Sequence, residues 1–320
     1  MGAPHAKAQA THILVIAGLS GDAEHGATFT GWANGFIDAA TDVHGVPIES
    51  VVYLGEKPAE DSRITARSTS DNVRQAVADL SASAQAGDQV FILLIGHGSY
   101  SAGESRFNLP GRDLSATDFS LLLDQLSEQA VAFINVSSSS GGFVEALSGE
   151  GRTIITATKT GMERNEATFG EHFVKAFAEE GSDLDKDERV SLLEAFQFAR
   201  QEVARAYEQD GRLLTEHAML DDNGDGEGSD EPGLGQADGA LAQTMFLMSA
   251  AAAAAQSTDD PILQGLFEER AGLQRQIDEL RALRGQMDPE RYEAALEDLL
   301  VELALKNREI RAREGGDDEA

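Results

Sequence analysis

The chain contains no cysteine among its 320 residues. Disulfide bonds, thiolate metal sites and a cysteine nucleophile are therefore excluded. It also has no apolar run long enough to span a bilayer, so membrane insertion is not expected. A soluble protein of a bacterial-type cell envelope (periplasm) or of the cytoplasm fits this composition, and the composition does not choose between them.

Basic residues are scarce compared with acidic ones. Lysine and arginine number 25 against 56 aspartates and glutamates, which gives a net charge of −31. Such a surface repels nucleic acid and anionic lipid, so both are excluded as partners. It attracts divalent cations or basic proteins instead. A hydrophobic content of 41% is that of a folded globular protein.

Apolar runs alternate with helical patterns through the first two thirds of the chain. Nearly continuous apolar segments separated by helices are typical of a mainly parallel sheet covered on both faces. The sequence therefore predicts an α/β fold, a three-layer sandwich around a mainly parallel sheet. The expected strands are residues 12–17, 50–54, 89–95, 131–136, 153–158 and, as a last strand, 245–248.

The pattern changes after an alanine run at residues 250–255. Leucines and other apolar residues then recur at heptad-like spacing, with a break at Asp288 and Pro289 that suits a helix start. This predicts two helices, 260–285 and 289–313, as a helical hairpin or coiled coil. One interpretation is an appendage packed on its own domain. The other is an arm for self-association or for a protein partner.

These patterns divide the chain into five parts. We expect a disordered segment at 1–10, an α/β domain at 11–249 and an Ala-rich linker at 250–258. The helical arm follows at 259–314, and an acidic tail at 315–320 ends the chain.

Two predicted strand ends carry the candidate chemistry. His97, followed by Gly98, comes directly after the strand at 89–95, and four serines, 137–140, followed by Gly141, come after the strand at 131–136. Ligands of open parallel sheets bind beyond the carboxyl ends of strands, so both loops are expected at the functional edge.

This order of motifs resembles the legumain and caspase superfamily of cysteine peptidases, the caspase-hemoglobinase fold. Aligning Ser140 and Gly141 on the family's Ser-Gly puts Ser138 at the position of the nucleophilic cysteine, and His97 at that of the catalytic histidine. The segments 107–118 and 156–164 resemble the hairpin after the histidine and the loop that walls the S1 pocket. The resemblance covers roughly residues 11–248 and implies a legumain/caspase-like domain.

Serine at position 138 departs from the family in a way that matters chemically. A thiol is activated by lowering its pKa until thiolate is populated, whereas a serine hydroxyl needs an aligned base that a third group orients. The resemblance implies a Cys–His dyad without such an orienting carboxylate. We therefore expect a catalytically inactive pseudopeptidase that acts as a binding or scaffolding module and requires no cofactor.

Alternatives remain for these residues. The protein could be a hydrolase that uses a Ser138–His97 dyad, or a cysteine peptidase captured as a Cys-to-Ser variant. The serines could also form only a polar turn in which one hydroxyl caps the helix that starts at Gly141. The histidines at 5, 12, 25 and 44 show no partner pattern, and His217 could touch the edge of the site.

Two acidic loops resemble calcium sites. The first matches EF-hand positions 1, 3, 5, 9 and 12, although Glu188 replaces the usual glycine, at a cost of roughly 1–2 kcal/mol. An acidic helix N-terminus is its alternative. The second loop matches positions 1, 3 and 5 and has Gly226 at position 6, but Pro232 at position 12 removes the bidentate ligand. The candidate ligands are Asp183, Asp185, Asp187, Ser191 and Glu194 in the first loop, and Asp221, Asn223 and Asp225 in the second.

Overall fold

The structure is a computed structural model that describes residues 10–184, 189–233, 236–247, 261–282 and 287–314. These residues fall into two compact units, one that ends at Leu247 and one that holds two helices near the C-terminus. The predicted segment before Ala10, the linker at 250–258 and the tail at 315–320 lie outside the described residues. Ala10 itself is held, since its N–H donates to Asp88 at 3.1 Å.

The first unit is built around one large sheet. The strands are β1 Thr11–Ala17, β2 Val51–Gly55, β3 Ala66–Arg67, β4 Gln89–Ile95, β5 Gly98–Ser101, β6 Glu104–Phe107, β7 Leu114–Ser115, β8 Ala130–Asn135, β9 Arg152–Thr156 and β10 Met219–Asp221. Within the described residues, seven of them pair in the order β10-β9-β8-β4-β1-β2-β3. All these pairs are parallel except that of β10 with β9.

Helices cover both faces of this sheet. They are α1 Ala23–Asp38, α2 Ser70–Ser83, α3 Ala116–Leu123, α4 Gly142–Leu147, α5 Phe169–Ala176 and α6 Leu192–Gln209. Alternate residues of the central strands, such as Leu14 and Ile92, share one core with α2, α3 and α4. On the other face α1, α5 and α6 meet through aromatic pairs such as Phe36 with Phe177 at 5.5 Å. The mainly parallel α/β sheet predicted from the sequence is therefore confirmed.

The strands look continuously apolar in the sequence because both of their faces are covered. All seven residues of β4 are buried. A strand with one solvent-exposed face would instead alternate polar and apolar residues. With both faces of the strands covered, the candidate polar residues lie in the loops at the carboxyl ends of β4 and β8 rather than within the strands.

Two parts of the first unit differ from a simple alternation of strands and helices. β5, β6 and β7 form a separate antiparallel sheet directly after His97, and α3 begins behind it with a capping box between Ser115 and Asp118. The expected last strand at 245–248 is wrong for its described part, 245–247. There Phe246 makes only an isolated bridge to Ser191, and the edge of the sheet is formed by β10 instead.

The second unit contains α7 Pro261–Ala282 and α8 Pro289–Glu314. Lys306 of α8 lies 2.7 Å from the Glu269 carboxylate of α7. Heptad residues such as Ile277 and Leu303 are buried, while Val301 and Leu305 are 54% exposed. Among the described helices of the whole chain, none combines the length and the apolar character needed to cross a membrane.

Candidate functional site

The loops that follow β4 and β8 lie side by side at one edge of the sheet. β4 and β8 are parallel neighbours, with Leu94 opposite Asn135. The N–H of Gly98 lies 3.4 Å from the Ser138 hydroxyl oxygen, and that hydroxyl lies 3.5 Å from the Gly98 carbonyl oxygen. The structure thus brings the two sequence motifs into contact.

Glycine at position 98 is required by the closeness of these loops. A Cβ atom there would lie 2.0 Å from the Ser138 carbonyl oxygen and 2.8 Å from the Ser137 hydroxyl oxygen. Both distances are far below van der Waals contact. The glycine that follows His97 therefore lets the serine loop approach the backbone of the histidine loop.

The serine loop is held by its own polar contacts. The Ser137 hydroxyl donates to Asn135 Oδ1 at 2.6 Å, and the Thr158 hydroxyl accepts the Gly141 N–H at 2.9 Å. Ser139 has a φ of +56°, a left-handed conformation that is strained for a residue other than glycine, and its hydroxyl is buried without a partner. α4 begins after Gly141 without a side-chain cap, so the expected serine cap is wrong.

The four serines differ in access to solvent. Ser138 is 8% exposed, whereas the other three are exposed by 1% or less. Ser138 is therefore the most exposed of the four residues. This is the serine that the Ser-Gly alignment singles out.

His97 is oriented by a backbone carbonyl group. Its Nε2 lies 3.2 Å from the carbonyl oxygen of Ser20, at the end of the loop that follows β1. Because a carbonyl oxygen only accepts, Nε2 carries the proton of the neutral ring and Nδ1 is left as the acceptor. Among the hydrogen bonds of the described residues, none joins His97 to a carboxylate or to Ser138. A carbonyl fixes the tautomer but supplies no negative charge to stabilise an imidazolium ion.

A second histidine, His25, lies against His97, with the two ring centroids 4.7 Å apart. Its Nδ1 is 2.7 Å from Asp22 Oδ2 and its Nε2 is 3.4 Å from Glu166 Oε1. The side-chain hydrogen bond to Asp22 raises the pKa of His25, and the pKa of Asp22 is lowered first by the backbone N–H of His25 and then by its ring. In the sequence His25 shows no partner pattern. The available signal was Asp22 three residues earlier, which caps α1 through the His25 N–H.

The loop after β9 closes the other side of the serine loop. The Glu163 carbonyl oxygen accepts the Ser139 N–H at 2.8 Å, and the Glu163 carboxylate lies 3.5 Å from His217 Nδ1. A Cβ on Gly161 would lie 2.2 Å from Tyr100 of β5. The predicted wall of an S1 pocket is therefore packed against the small sheet, and His217 reaches the edge of the site through Glu163.

A cavity of about 470 Å³ opens beside His97, at the carboxyl ends of β1 and β2. Ser20, whose carbonyl group orients His97, and Phe29, whose ring centroid is 5.1 Å from that of His97, both line it. Three carboxylates and one lysine also line the cavity: Glu56, Glu60, Asp61 and Lys57. Its lining therefore favours a cationic group.

The first acidic loop is only partly described, since Asp185 and Asp187 lie outside the described residues. Ser191 is the N-cap of α6, and its hydroxyl accepts the Glu194 N–H at 3.2 Å. In return, Glu194 Oε2 accepts the Ser191 N–H at 2.8 Å, and Oε1 accepts the Leu184 N–H at 3.0 Å. One oxygen of Glu194 thus caps the start of α6, and the other ties the loop residue Leu184, next to Asp183, to that helix. The calcium assignment of this loop stays a prediction.

The second acidic loop starts at Asp221, the last residue of β10. Asn223 and Asp225 lie exposed on the turn, and Gly226 has the left-handed φ of +78° expected at the sixth position of such a loop. Burial, together with repulsion from Asp222, raises the pKa of Asp238 to about 6. Within the described ranges, no three His, Asp or Glu side chains are already grouped as metal ligands.

Comparison with known proteins adds little to this geometry. No family model matches the chain, and no curated protein matches its sequence. Among solved structures it is similar to protein GSU0716 from Geobacter sulfurreducens, with 12% identity and a TM-score of 0.47. That match covers 75% of this chain and 99% of the other.

Proposed function

We propose that this protein is a catalytically inactive, legumain/caspase-like pseudopeptidase that works as a binding or scaffolding module. The observation that carries the proposal is that, among the hydrogen bonds of the described residues, none joins His97 to Ser138 or to a carboxylate. The Nε2–H group of His97 donates to the Ser20 carbonyl oxygen, while the Ser138 hydroxyl lies 3.5 Å from the Gly98 carbonyl oxygen. A serine nucleophile needs a base bonded to it and an acidic group behind that base.

Binding without cleavage uses the same edge of the sheet. The cavity beside His97 has room for a side chain, and its carboxylates favour a basic one. Asp61 lines the cavity, and the hydrogen bond from the Arg63 N–H is the main cause that lowers its pKa. Asp61 is therefore ionised at neutral pH. We infer that the ligand is a segment of a basic protein, because the net charge of −31 also favours such a partner.

The C-terminal helices are proposed as the scaffolding part, an arm in the form of a helical hairpin or coiled coil. The Lys306–Glu269 ion pair joins its two helices. Val301 and Leu305, one helical turn apart, remain more than half exposed. We propose that the arm mediates self-association or binds a protein partner.

A serine-directed fluorophosphonate, with intact-mass detection, tests the inactive state. We expect no labelling at Ser138 and no turnover of peptide or ester substrates above background. Ser138→Ala, Ser139→Ala and His97→Ala are the matched variants. In a working serine hydrolase, loss of one catalytic group lowers the rate by several orders of magnitude, whereas here each variant should equal the wild type.

The same variants separate the proposal from its rivals. Stoichiometric labelling of Ser138 that disappears in His97→Ala would establish a Ser138–His97 hydrolase and overturn the proposal. Ser138→Cys tests the third possibility, a peptidase captured as a serine variant. Thiol-dependent peptide cleavage by Ser138→Cys would show that the site is competent once a thiolate is supplied.

A further inference from the structure

Asp221 is a buried carboxylate with one unpaired oxygen. The residue is 1% exposed, and its Oδ2 accepts no hydrogen bond. Its Oδ1 accepts one long bond, from the Gly224 N–H at 3.3 Å. Buried carboxylates in proteins are normally paired with a cation or bound to a metal, because an unpaired one is strongly destabilising.

A second buried carboxylate lies beside it. Asp238 is 1% exposed, and its Oδ1 accepts the Asp222 N–H at 3.2 Å. Asp221, Asp222 and Asp225 are all close enough to repel it. Among the ion pairs of the described residues, none includes any of these four aspartates. Negative charge therefore converges here without a basic side chain to balance it.

The surrounding loop is closed and anchored. Leu220 and Ser229 exchange two backbone hydrogen bonds, of 2.9 and 2.8 Å, across its neck. The Gly226 N–H donates to the Ser148 hydroxyl at 2.9 Å, which ties the loop to the end of α4. The loop is thus held at its neck and tip, while Asn223 and Asp225 remain exposed between them.

We propose that this loop binds one calcium ion through Asp221, Asn223, Asp225 and Asp238. Asp238 comes from outside the loop and replaces the carboxylate that Pro232 removes from position 12. Backbone carbonyl groups and water would complete the six to eight oxygen ligands that calcium takes. Zinc prefers nitrogen and sulfur ligands, and magnesium demands a tighter octahedral arrangement, so an irregular oxygen-only loop favours calcium.

Binding of the ion requires the loop to rearrange, because the acidic side chains of the described residues are not yet grouped as metal ligands. Calcium accepts amide and carbonyl oxygens as well as carboxylates, so three grouped acidic side chains are not required. Asp225 is exposed and its carboxylate bonds only within the loop, to the Asn223 amide and the Glu227 N–H. Binding would turn Asp225 toward the buried pair and order the loop against α4.

Isothermal titration of the chelator-treated full chain with calcium chloride tests this site. It is done at constant ionic strength, because the acidic surface attracts divalent ions non-specifically. Asp225→Asn and Asp238→Asn are compared with Asp210→Asn, a control that removes the same charge from an exposed position after α6. We expect Kd to rise at least tenfold in the first two variants and to stay unchanged in the control.

Thermal unfolding gives the second readout. At a hundred times the wild-type Kd, calcium should raise the Tm of the wild type by roughly 5–10 °C, and at the same calcium concentration this shift should fall to about half or less in Asp225→Asn. Asp225 is exposed, so this variant keeps the test valid if Asp238→Asn does not fold. Absence of binding by the wild type, unchanged binding in both variants, or equal affinity for magnesium would each overturn the proposal.

Discussion

Replacing Gly98 by alanine should destabilise the α/β unit, because the added Cβ would overlap the serine loop. The nearest atom, the Ser138 carbonyl oxygen, would be 2.0 Å away, so the backbone of one loop must shift by more than 1 Å. Overpacking of this kind costs about 1–3 kcal/mol. For a unit of this size, a loss of about 2 kcal/mol lowers Tm by roughly 4–8 °C.

The single tryptophan, Trp32, makes the measurement specific. It lies in α1, so its fluorescence during urea unfolding reports the α/β unit rather than the C-terminal helices. Gly31→Ala is the matched control. Gly31 lies in α1 next to Trp32, and a Cβ added there would have no atom within 4 Å. Because alanine has a higher helix propensity than glycine, the substitution should raise the free energy of unfolding by up to about 1 kcal/mol.

The two substitutions should therefore change the free energy of unfolding in opposite directions. The same clash displaces the Ser138 carbonyl group, so Gly98→Ala should also alter the solvent access of the Ser138 hydroxyl. Equal stability of Gly98→Ala and the wild type would refute the close approach of the two loops and, with it, the geometry of the candidate site.

Two further predictions concern the arm and the histidines. Ending the chain after residue 255 should leave the Trp32 unfolding transition unchanged. It should reduce the number of chains per particle found by light scattering, or abolish partner binding. An unchanged number of chains and the same partners would make the arm a structural appendage. Nε2 of His44 donates to the Phe177 carbonyl oxygen at 2.8 Å, and burial lowers the pKa of His44. The contribution of His44 to the free energy of unfolding is therefore present above about pH 6.5 and is lost as the pH falls through the folded-state pKa. As the pH falls from 7.5 to 5, the Tm difference between the wild type and His44→Gln should therefore shrink. The difference between the wild type and His25→Gln should grow over the same range, because the pKa of His25 is raised. If the two differences change equally with pH, the pKa directions of both histidines are refuted.

The sequence was most informative about the central strands and the meeting of the two motifs. Strands covered on both faces must be apolar throughout, and parallel neighbours must end at the same edge. Those two constraints place both loops at the same edge of the sheet, whereas the order of the motifs was needed to predict that the two strand ends are adjacent. In the structure the loop that contains Gly98 lies against Ser137 and Ser138, which is the contact that the prediction describes.

Other features depended on contacts that sequence spacing does not encode. β10 is only three residues long, too short for a periodic pattern, and it runs antiparallel because the chain returns from α6. Asp238 lies 17 residues after Asp221, beyond the twelve-residue window of the loop motif. Glu166 reaches His25 although it lies far from it in the sequence, in the segment between β9 and α5. In each case tertiary packing, rather than local pattern, creates the contact.

The two ends of the large sheet limit how the α/β unit can associate. Open edges allow strands of another molecule to add, which is a common route to aggregation. Here one outer strand, β3, pairs through two residues, and the other, β10, pairs through three. Such short borders offer few free amide and carbonyl groups as a template. A concentrated solution of the unit should therefore resist fibril growth at these borders.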